Sequence, residues 1–159
     1  MQNWTSWAGN PLSSQPSMST ETNKTLILAC IDEGWNTRHL GIFDQLFDPD
    51  LVDHSVPSGL PATREGTKRL AARFWTAFPD LHFTIEDQIA EADKVTTRWT
   101  ARGTHTGPLI GVPPTGRHVI VSGIRIDRIL HERILESWAE IDQLGMLRQL
   151  GAVVLEGAG

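Results

Sequence analysis

The spacing of apolar residues divides the chain into a helical first half and a strand-rich second half. A first helix is predicted from about residue 20, with Ser19 or Thr20 as its cap and Gly34 near its end. Its buried stripe recurs at helical spacing as Leu26, Ile27, Cys30 and Ile31. The pattern then predicts three further elements: a helix over 38–47, which DPD at 48–50 ends, a strand over 51–56 and a helix over 63–78.

From residue 81 the apolar period changes to two. Four segments rich in Val, Ile, Thr and Trp are predicted as strands, over 81–89, 94–105, 117–130 and 133–141. AEADK forms a tight hairpin, TGPLIGVPPTG forms a loop, and a short helix over 143–150 closes the domain. Helices followed by antiparallel strands indicate an α+β fold. We therefore expect a curved antiparallel sheet packed over the N-terminal helices, as a cone with an internal pocket.

Length and composition limit the function classes. The 159 residues suffice for one domain, predicted over 20–151, with a flexible tail over 1–19 and a short one over 152–159. The net charge of −5 argues against a nucleic-acid partner. No segment approaches the ~20 apolar residues that span a bilayer, and the N-terminus lacks the pattern of a secretory signal. We expect a cytoplasmic protein without membrane contact.

Several common catalytic and metal-binding motifs are missing from the sequence. It contains no dinucleotide fingerprint after a strand, no P-loop and no G-x-S-x-G elbow. HERIL at 131–135 has Leu135 where a zinc helix needs its second histidine, and the six histidines match no common ligand spacing. We therefore expect no metal site.

The remaining candidates are polar residues on predicted strands and aromatic residues that could line the pocket. Each polar residue also has a structural alternative: His54 as a satisfied histidine at a strand end, His105 as an anchor for the following loop, and Arg98 and Arg128 on a solvated face. The aromatic side chains expected against the substrate are Phe43, Phe74, Trp99 and Trp138.

Asp142 stands between a strand and the last helix, in LESWAEIDQLGMLRQLG. It can cap that helix, whose N-terminus stabilises a negative charge. Apolar cavity walls would oppose the charge, and a carboxylate under both influences can exchange protons near neutral pH. The sequence therefore allows Asp142 to be a cap, a general acid/base, or both.

TRWTARGTHTGPLIGVPPTGRHV, GIRIDRI and ILESWAEIDQLGMLRQLG, with AFPDLHFTIEDQI upstream, together resemble the SnoaL-like polyketide cyclases of the nuclear-transport-factor-two-like superfamily. The resemblance covers about residues 20–151. It implies an α+β cone, usually dimeric, without a metal or organic cofactor. It also implies that Asp142 is the general acid/base and that His105, Arg128 and His54 bind carbonyl groups. One departure is LHERI, which stands where the family usually has an Asp-Gly turn.

Three functions follow as alternatives. The first is a cofactor-independent cyclase that closes a ring in a polyketide-like or other enolisable hydrophobic substrate by aldol-type addition. The second is a hydrolase or isomerase, for example an enzyme that opens epoxides, in which a carboxylate holds water, a second acid assists, and Arg98 or Arg128 orients them. The third is a non-catalytic module that binds a small ligand, and a solvent-exposed Asp142 would favour it.

Overall fold

The computed structural model describes residues 19–153. The predicted tails therefore lie almost entirely outside the described residues. The elements are, in chain order, α1 (Thr20–Ala29), a π-helical segment (Cys30–Asn36), α2 (Leu40–Leu46), β1 (Phe47–Asp53), α3 (Arg64–Ala77), β2 (His82–Glu91), β3 (Lys94–Thr104), β4 (His118–Leu130), β5 (Arg133–Ile141) and α4 (Gln143–Gln149).

The strands form one five-stranded sheet in the order β1-β5-β4-β3-β2. β2 pairs with β3, β3 with β4 and β4 with β5, all antiparallel, which confirms the four strands predicted in the second half of the chain. The first strand differs from the prediction, because β1 pairs parallel to β5 and makes the sheet mixed. β1 also begins earlier than predicted, at Phe47, which pairs with Ile134. The DPD segment continues this strand and does not separate it from a helix. Register shifts in three of the four pairings bend the sheet.

Local chemistry explains the predicted helix boundaries. The hydroxyl of Ser19 accepts a hydrogen bond from the amide of Thr22 at 3.1 Å, which confirms Ser19 as the cap of α1. Thr63 caps α3 in the same way, through the amide of Gly66. Gly34 allows α2 to pack closely, because a Cβ atom there would stand 2.3 Å from the Phe43 ring.

The concave face of the sheet carries the core. One apolar cluster joins α1, α2 and the β1 side of the sheet, and it includes Ile27, Phe43, Phe47 and Ile134. A second cluster joins the end of α3 to β3, β4 and α4. Trp75 and Phe83 pack against both clusters. Between the two apolar clusters, the concave face of the sheet carries buried polar side chains.

The turn between β4 and β5 holds the departure from the family pattern. His131 and Glu132 both have positive φ, at 50° and 60°, so two residues with a Cβ occupy left-handed positions that glycine fills at lower cost. The pairing Leu130↔Arg133 shows that the hairpin nevertheless closes. The departure therefore changes the chemistry of the turn but does not prevent the hairpin from closing, next to a register shift between Arg128 and Ile129.

Candidate functional site

Four polar side chains meet on the concave face where β1, β5 and β4 lie side by side. Asp53 pairs with Ser137, and Ser137 pairs with Asp127, so period-two alternation points all three side chains into the cone. Arg125 stands two residues before Asp127 on the same strand and shares its face. We call Asp53, Arg125, Asp127 and Ser137 the concave-face cluster.

Hydrogen bonds join three members of the cluster. Nε of Arg125 donates to Oδ1 of Asp127 at 2.7 Å, and Nη2 of Arg125 donates to the hydroxyl of Ser137 at 2.8 Å. That hydroxyl donates in turn to Oδ1 of Asp127 at 2.5 Å. Two of these three hydrogen bonds, from Nε of Arg125 and from the Ser137 hydroxyl, therefore end on the same carboxylate oxygen of Asp127. Among the described residues, the other oxygen of Asp127, Oδ2, is buried without a hydrogen-bond partner.

The second carboxylate of the cluster is fully satisfied. Oδ1 of Asp53 accepts from the amide of Ser55 at 3.0 Å and from its hydroxyl at 2.5 Å. Oδ2 of Asp53 accepts from the hydroxyl of Thr67 on α3 at 2.8 Å. Asp53 therefore ties β1 to α3, whereas Asp127 retains an unused acceptor.

Burial controls the charge of the cluster. It raises the pKa of Asp127 above the ordinary aspartate value, and the charge of Arg125 opposes that rise. Burial also opposes the charge on Arg125, but the carboxylates of Asp127 and Asp53 outweigh it and raise the pKa of Arg125. Burial raises the pKa of the nearby Cys30 thiol to about 12, so this thiol stays neutral near pH 7.

One side of the cluster is open and is bordered by apolar groups. The side chain of Arg125 is 14 % exposed, whereas that of Asp127 is 1 % exposed. Next to Arg125 on the concave face stand Gly123 and its cross-strand partner Ile141. Trp99 lies over Gly123, where an added Cβ would approach the indole ring to 2.2 Å. The exposed part of Arg125 therefore shares the concave face with an aromatic and an aliphatic side chain.

Several residues predicted for the pocket lie instead on the outer face of the sheet. The ring of His54 stacks on Trp138 at 5.1 Å, and its Nε2 lies 2.9 Å from a carboxylate oxygen of Glu136. Arg128 lies between Asp93, at 2.9 Å, and Glu136, at 3.8 Å. The expectation that His54, Arg128 and Trp138 enter the cone was wrong, because the pleat turns them to the opposite face from Asp127 and Ser137.

Asp142 caps α4 and is exposed to solvent. Its Oδ1 accepts a hydrogen bond from the amide of Gly145 at 2.8 Å. The prediction that apolar walls enclose Asp142 was therefore wrong, whereas its role as an acid/base stays a prediction. Asp142 and Arg98 border an open groove where the middle of β4 lies beside the end of β5, with Ser122, Gly123, Ile124, Glu140 and Ile141.

The other predicted residues do lie on the concave side, in different surroundings. His105 is buried against Phe78, and its Nδ1 accepts from the amide of Thr115 at 3.3 Å, so it anchors the loop that follows β3. Burial lowers the pKa of His105. Phe43 is fully enclosed in the core, whereas Phe74 is partly buried and Trp99 lies over Gly123. Of the predicted residues on the concave side, Trp99 lies nearest in register to the cluster.

Sequence reasoning missed the concave-face cluster. The signal was present in GIRIDRIL, where Arg125 and Asp127 alternate with Ile124, Ile126 and Arg128. Alternation of this kind usually means that the apolar residues face the core and the polar residues face solvent. In this part of β4 the arrangement is the opposite. Without the pairing to Ser137 and β1, the polar positions of this strand could not be assigned to the interior.

Within residues 19–153, no three His, Cys, Asp or Glu side chains converge as a group that could hold a metal ion. No helix in the same part of the chain is both long and apolar enough to cross a membrane.

Comparisons with known proteins agree with this fold. A family model described as SnoaL-like polyketide cyclase matches residues 25–150. IdmH from Streptomyces antibioticus, a proposed polyketide cyclase, is 34% identical, with a TM-score of 0.72 over 81% of this chain and 98% of its own. TsrD from Streptomyces laurentii is 27% identical, with a TM-score of 0.78 over 86% of this chain and 99% of its own. AclR from Streptomyces galilaeus, a proposed hydroxylase, is 28% identical, with a TM-score of 0.77 over 88% and 87% of the two chains. No curated protein matches the chain.

The family match spans nearly all of the described domain, including the strands that carry the concave-face cluster. The chain therefore belongs to the SnoaL-like polyketide cyclase family.

Proposed function

We propose that the protein is a cofactor-independent acid/base enzyme that closes a ring in a small, hydrophobic, enolisable substrate such as a polyketide chain. The reaction is an intramolecular aldol-type addition, which needs a group to take a proton from carbon and a donor to hold the developing enolate oxygen. The observation that carries the proposal is the buried Arg125–Asp127 pair, which shares the concave face with Trp99. It supplies both chemical needs at an apolar surface.

Family membership supports this reaction class, and so does the proposed cyclase activity of IdmH. Asp142, the acid/base predicted from the sequence, remains a second candidate for the proton transfer. Its carboxylate lies at the end of β5 beside the groove that also contains Arg98. The two carboxylates are distinguished by experiment below.

The direct test is ring closure of an open-chain aryl poly-β-keto ester by the purified protein. The product is an isomer of the substrate before loss of water, so NMR detects the new carbon–carbon bond. We expect a rate well above that of buffer, both with and without a metal chelator. A rate equal to that of buffer for chains of two, three and four ketide units would contradict the proposal.

A second function, the opening of an epoxide by water, is favoured by one feature of the same cluster. That reaction needs a carboxylate to activate water and a second acid near an orienting cation. Asp127 and Asp53 both act electrostatically on Arg125. Incubation of an apolar epoxide in ¹⁸O-labelled water would give a labelled diol if this function is correct, and unchanged epoxide if it is not.

We also propose a homodimer formed through the outer face of the sheet. The outward side chains of β4 include Ile120, Ile124 and Ile126, all among the exposed large apolar residues. Exposed apolar residues in register form the kind of surface that a second protein copy covers. Light scattering at micromolar concentration tests this, and a monomer would contradict it.

A further inference from the structure

The carboxylate of Asp127 is used asymmetrically. Oδ1 accepts two hydrogen bonds, one from Nε of Arg125 and one from the Ser137 hydroxyl, whereas Oδ2, within the described residues, has no partner. A buried polar atom without a hydrogen bond costs about 1–3 kcal/mol, and more when it is charged. An ion pair with a purely structural role would avoid this cost by using both oxygens. The free oxygen therefore indicates a position for an atom that the protein itself does not supply.

Arg125 shows the same asymmetry. Its Nε and Nη2 donate to Asp127 and Ser137, and Nη1 makes no hydrogen bond among residues 19–153. A guanidinium presents its donors in a rigid, planar fork, so the two occupied nitrogens fix the direction of the third. The side chain retains an exposed edge, which gives a substrate carbonyl access to a positive charge whose position is already set.

The charge of the cluster can change by one proton. The two carboxyl groups of the cluster share one guanidinium, so its acidic groups outnumber its basic ones by one, and Cys30 contributes no charge near pH 7. Burial disfavours this excess negative charge. Both oxygens of Asp53 are satisfied by hydrogen bonds, so the cluster takes up or releases its proton at Asp127.

We propose that Asp127 is the proton acceptor of the reaction and that Arg125 holds the carbonyl oxygen from which the enolate forms. The inference rests on the proposed function and assigns its chemistry to the concave face. Oδ2 of Asp127 takes the proton from the carbon next to the bound carbonyl. The electrons of the broken C–H bond form the enolate, whose negative oxygen lies against Nη1 of Arg125.

Ring closure then needs no further reagent. The enolate carbon attacks a second carbonyl carbon of the same chain, and a carbon–carbon bond forms while that carbonyl oxygen becomes an alkoxide. The alkoxide takes the proton back from Asp127, so the product is an isomer of the substrate and the enzyme returns to its starting state. Ser137 is a positioning residue, because its hydroxyl accepts a hydrogen bond from Arg125 and donates one to Asp127, so it orients both side chains.

Trp99 and Ile141 indicate which part of the substrate lies beside the reacting carbonyl. Trp99 covers Gly123, and Ile141 faces the same side from β5. An aromatic or aliphatic group next to the carbonyl would pack against these side chains, whereas a charged group would lose its hydration there. The site therefore favours an aryl or alkyl ketone over a free carboxylic acid.

The test measures the first half-reaction by itself. An aryl β-keto ester with one alkyl group between its carbonyls is dissolved in deuterated buffer, and NMR follows exchange of the remaining α-proton. Wild-type protein is compared with Asp127→Asn, Asp127→Glu, Arg125→Lys and the control Asp50→Asn, which makes the same change at an exposed aspartate of β1. Near-UV circular dichroism checks that each variant is folded.

We expect the catalysed exchange to fall by about 10²–10⁴-fold in Asp127→Asn, the usual range for loss of a general base. Asp127→Glu retains the charge but moves it by one methylene group, so a loss of at least about tenfold is expected even if the Asn variant fails to fold. Arg125→Lys should mainly raise KM, because it retains the charge and loses the fork. Asp50→Asn should match the wild type.

The outcomes separate the two proposals. Exchange at the wild-type rate in Asp127→Glu, or in a folded Asp127→Asn, overturns the assignment of Asp127 and leaves the proposed function standing. No catalysed exchange in the wild-type protein overturns both. Loss in the Asp127 variants with full activity in Asp50→Asn supports both.

Discussion

Removal of the Ser137 hydroxyl measures what its hydrogen bonds contribute to stability, because the charged side chains of the concave-face cluster stay in place. Ser137→Ala leaves Arg125 and Asp127 in place but removes an acceptor at 2.8 Å and a donor at 2.5 Å. Serine and alanine differ by one oxygen atom, so the packing of this fully buried position is retained. The change in stability therefore reports the two hydrogen bonds.

The expected loss follows from the partners. Hydrogen bonds to charged groups contribute about 1.5–3 kcal/mol each, but Arg125 and Asp127 still bond to each other after the substitution. We therefore expect the free energy of unfolding to fall by about 2–3 kcal/mol. For a domain of this size, that loss lowers the melting temperature by about 4–12 °C.

Urea denaturation followed by tryptophan fluorescence measures this loss. The midpoint should fall without a change in slope, since the surface exposed on unfolding is nearly the same. Ser122→Ala is the matched control, because it removes a hydroxyl from the exposed face of β4 and should stay within about 0.5 kcal/mol of the wild type. Equal stability of the two variants would refute the view that the cluster is a tightly bonded unit.

Three further predictions concern the cap of α4, the buried histidine and the outer face. Asp142→Ala should lose about 1 kcal/mol of unfolding free energy and Asp142→Asn almost none, because Asn also caps helices. Urea denaturation measures both losses, and equal losses would contradict the role of Asp142 as a cap. Burial lowers the pKa of His105, so its stabilisation is complete above about pH 6.5 and is lost as the pH falls through the folded value. The difference in unfolding free energy between wild type and His105→Gln should therefore shrink from pH 8 to pH 5, and a constant difference would argue against it. Ile124→Lys should convert the proposed dimer to a monomer in light scattering, while an unchanged mass would place the contact elsewhere.

The sequence predicted most of the fold because its local signals agree with the final structure. Ser19, the helical stripe of α1 and the period-two segments from β2 to β5 each specify their element without tertiary help. The first strand was misplaced because its start depends on a partner far along the chain, Ile134. Long-range pairing, rather than propensity, decides whether DPD ends a helix or continues a strand.

The site was harder to predict than the fold, for a related reason. Period-two alternation shows which residues share a face but not which face is buried when both carry apolar groups. In β4, Ile124 and Ile126 face outward while Arg125 and Asp127 face inward. His54, Arg128 and Trp138 were therefore assigned to the wrong side. Trp99 does lie on the concave side, because its inward partner Gly123 leaves room for the indole ring, and its contact with a substrate stays a prediction.

The central claim is that proton transfer takes place at the concave-face cluster, and one comparison tests it most directly. The rate of ring closure is measured for Asp127→Asn and Asp142→Asn, with both variants confirmed as folded. Asn can still cap α4, so Asp142→Asn separates a chemical role from a structural one. We predict that Asp127→Asn loses about 10²–10⁴-fold in turnover, whereas Asp142→Asn changes by less than about tenfold. A near-normal rate in Asp127→Asn together with a large loss in Asp142→Asn would contradict the account and move the chemistry to the end of β5.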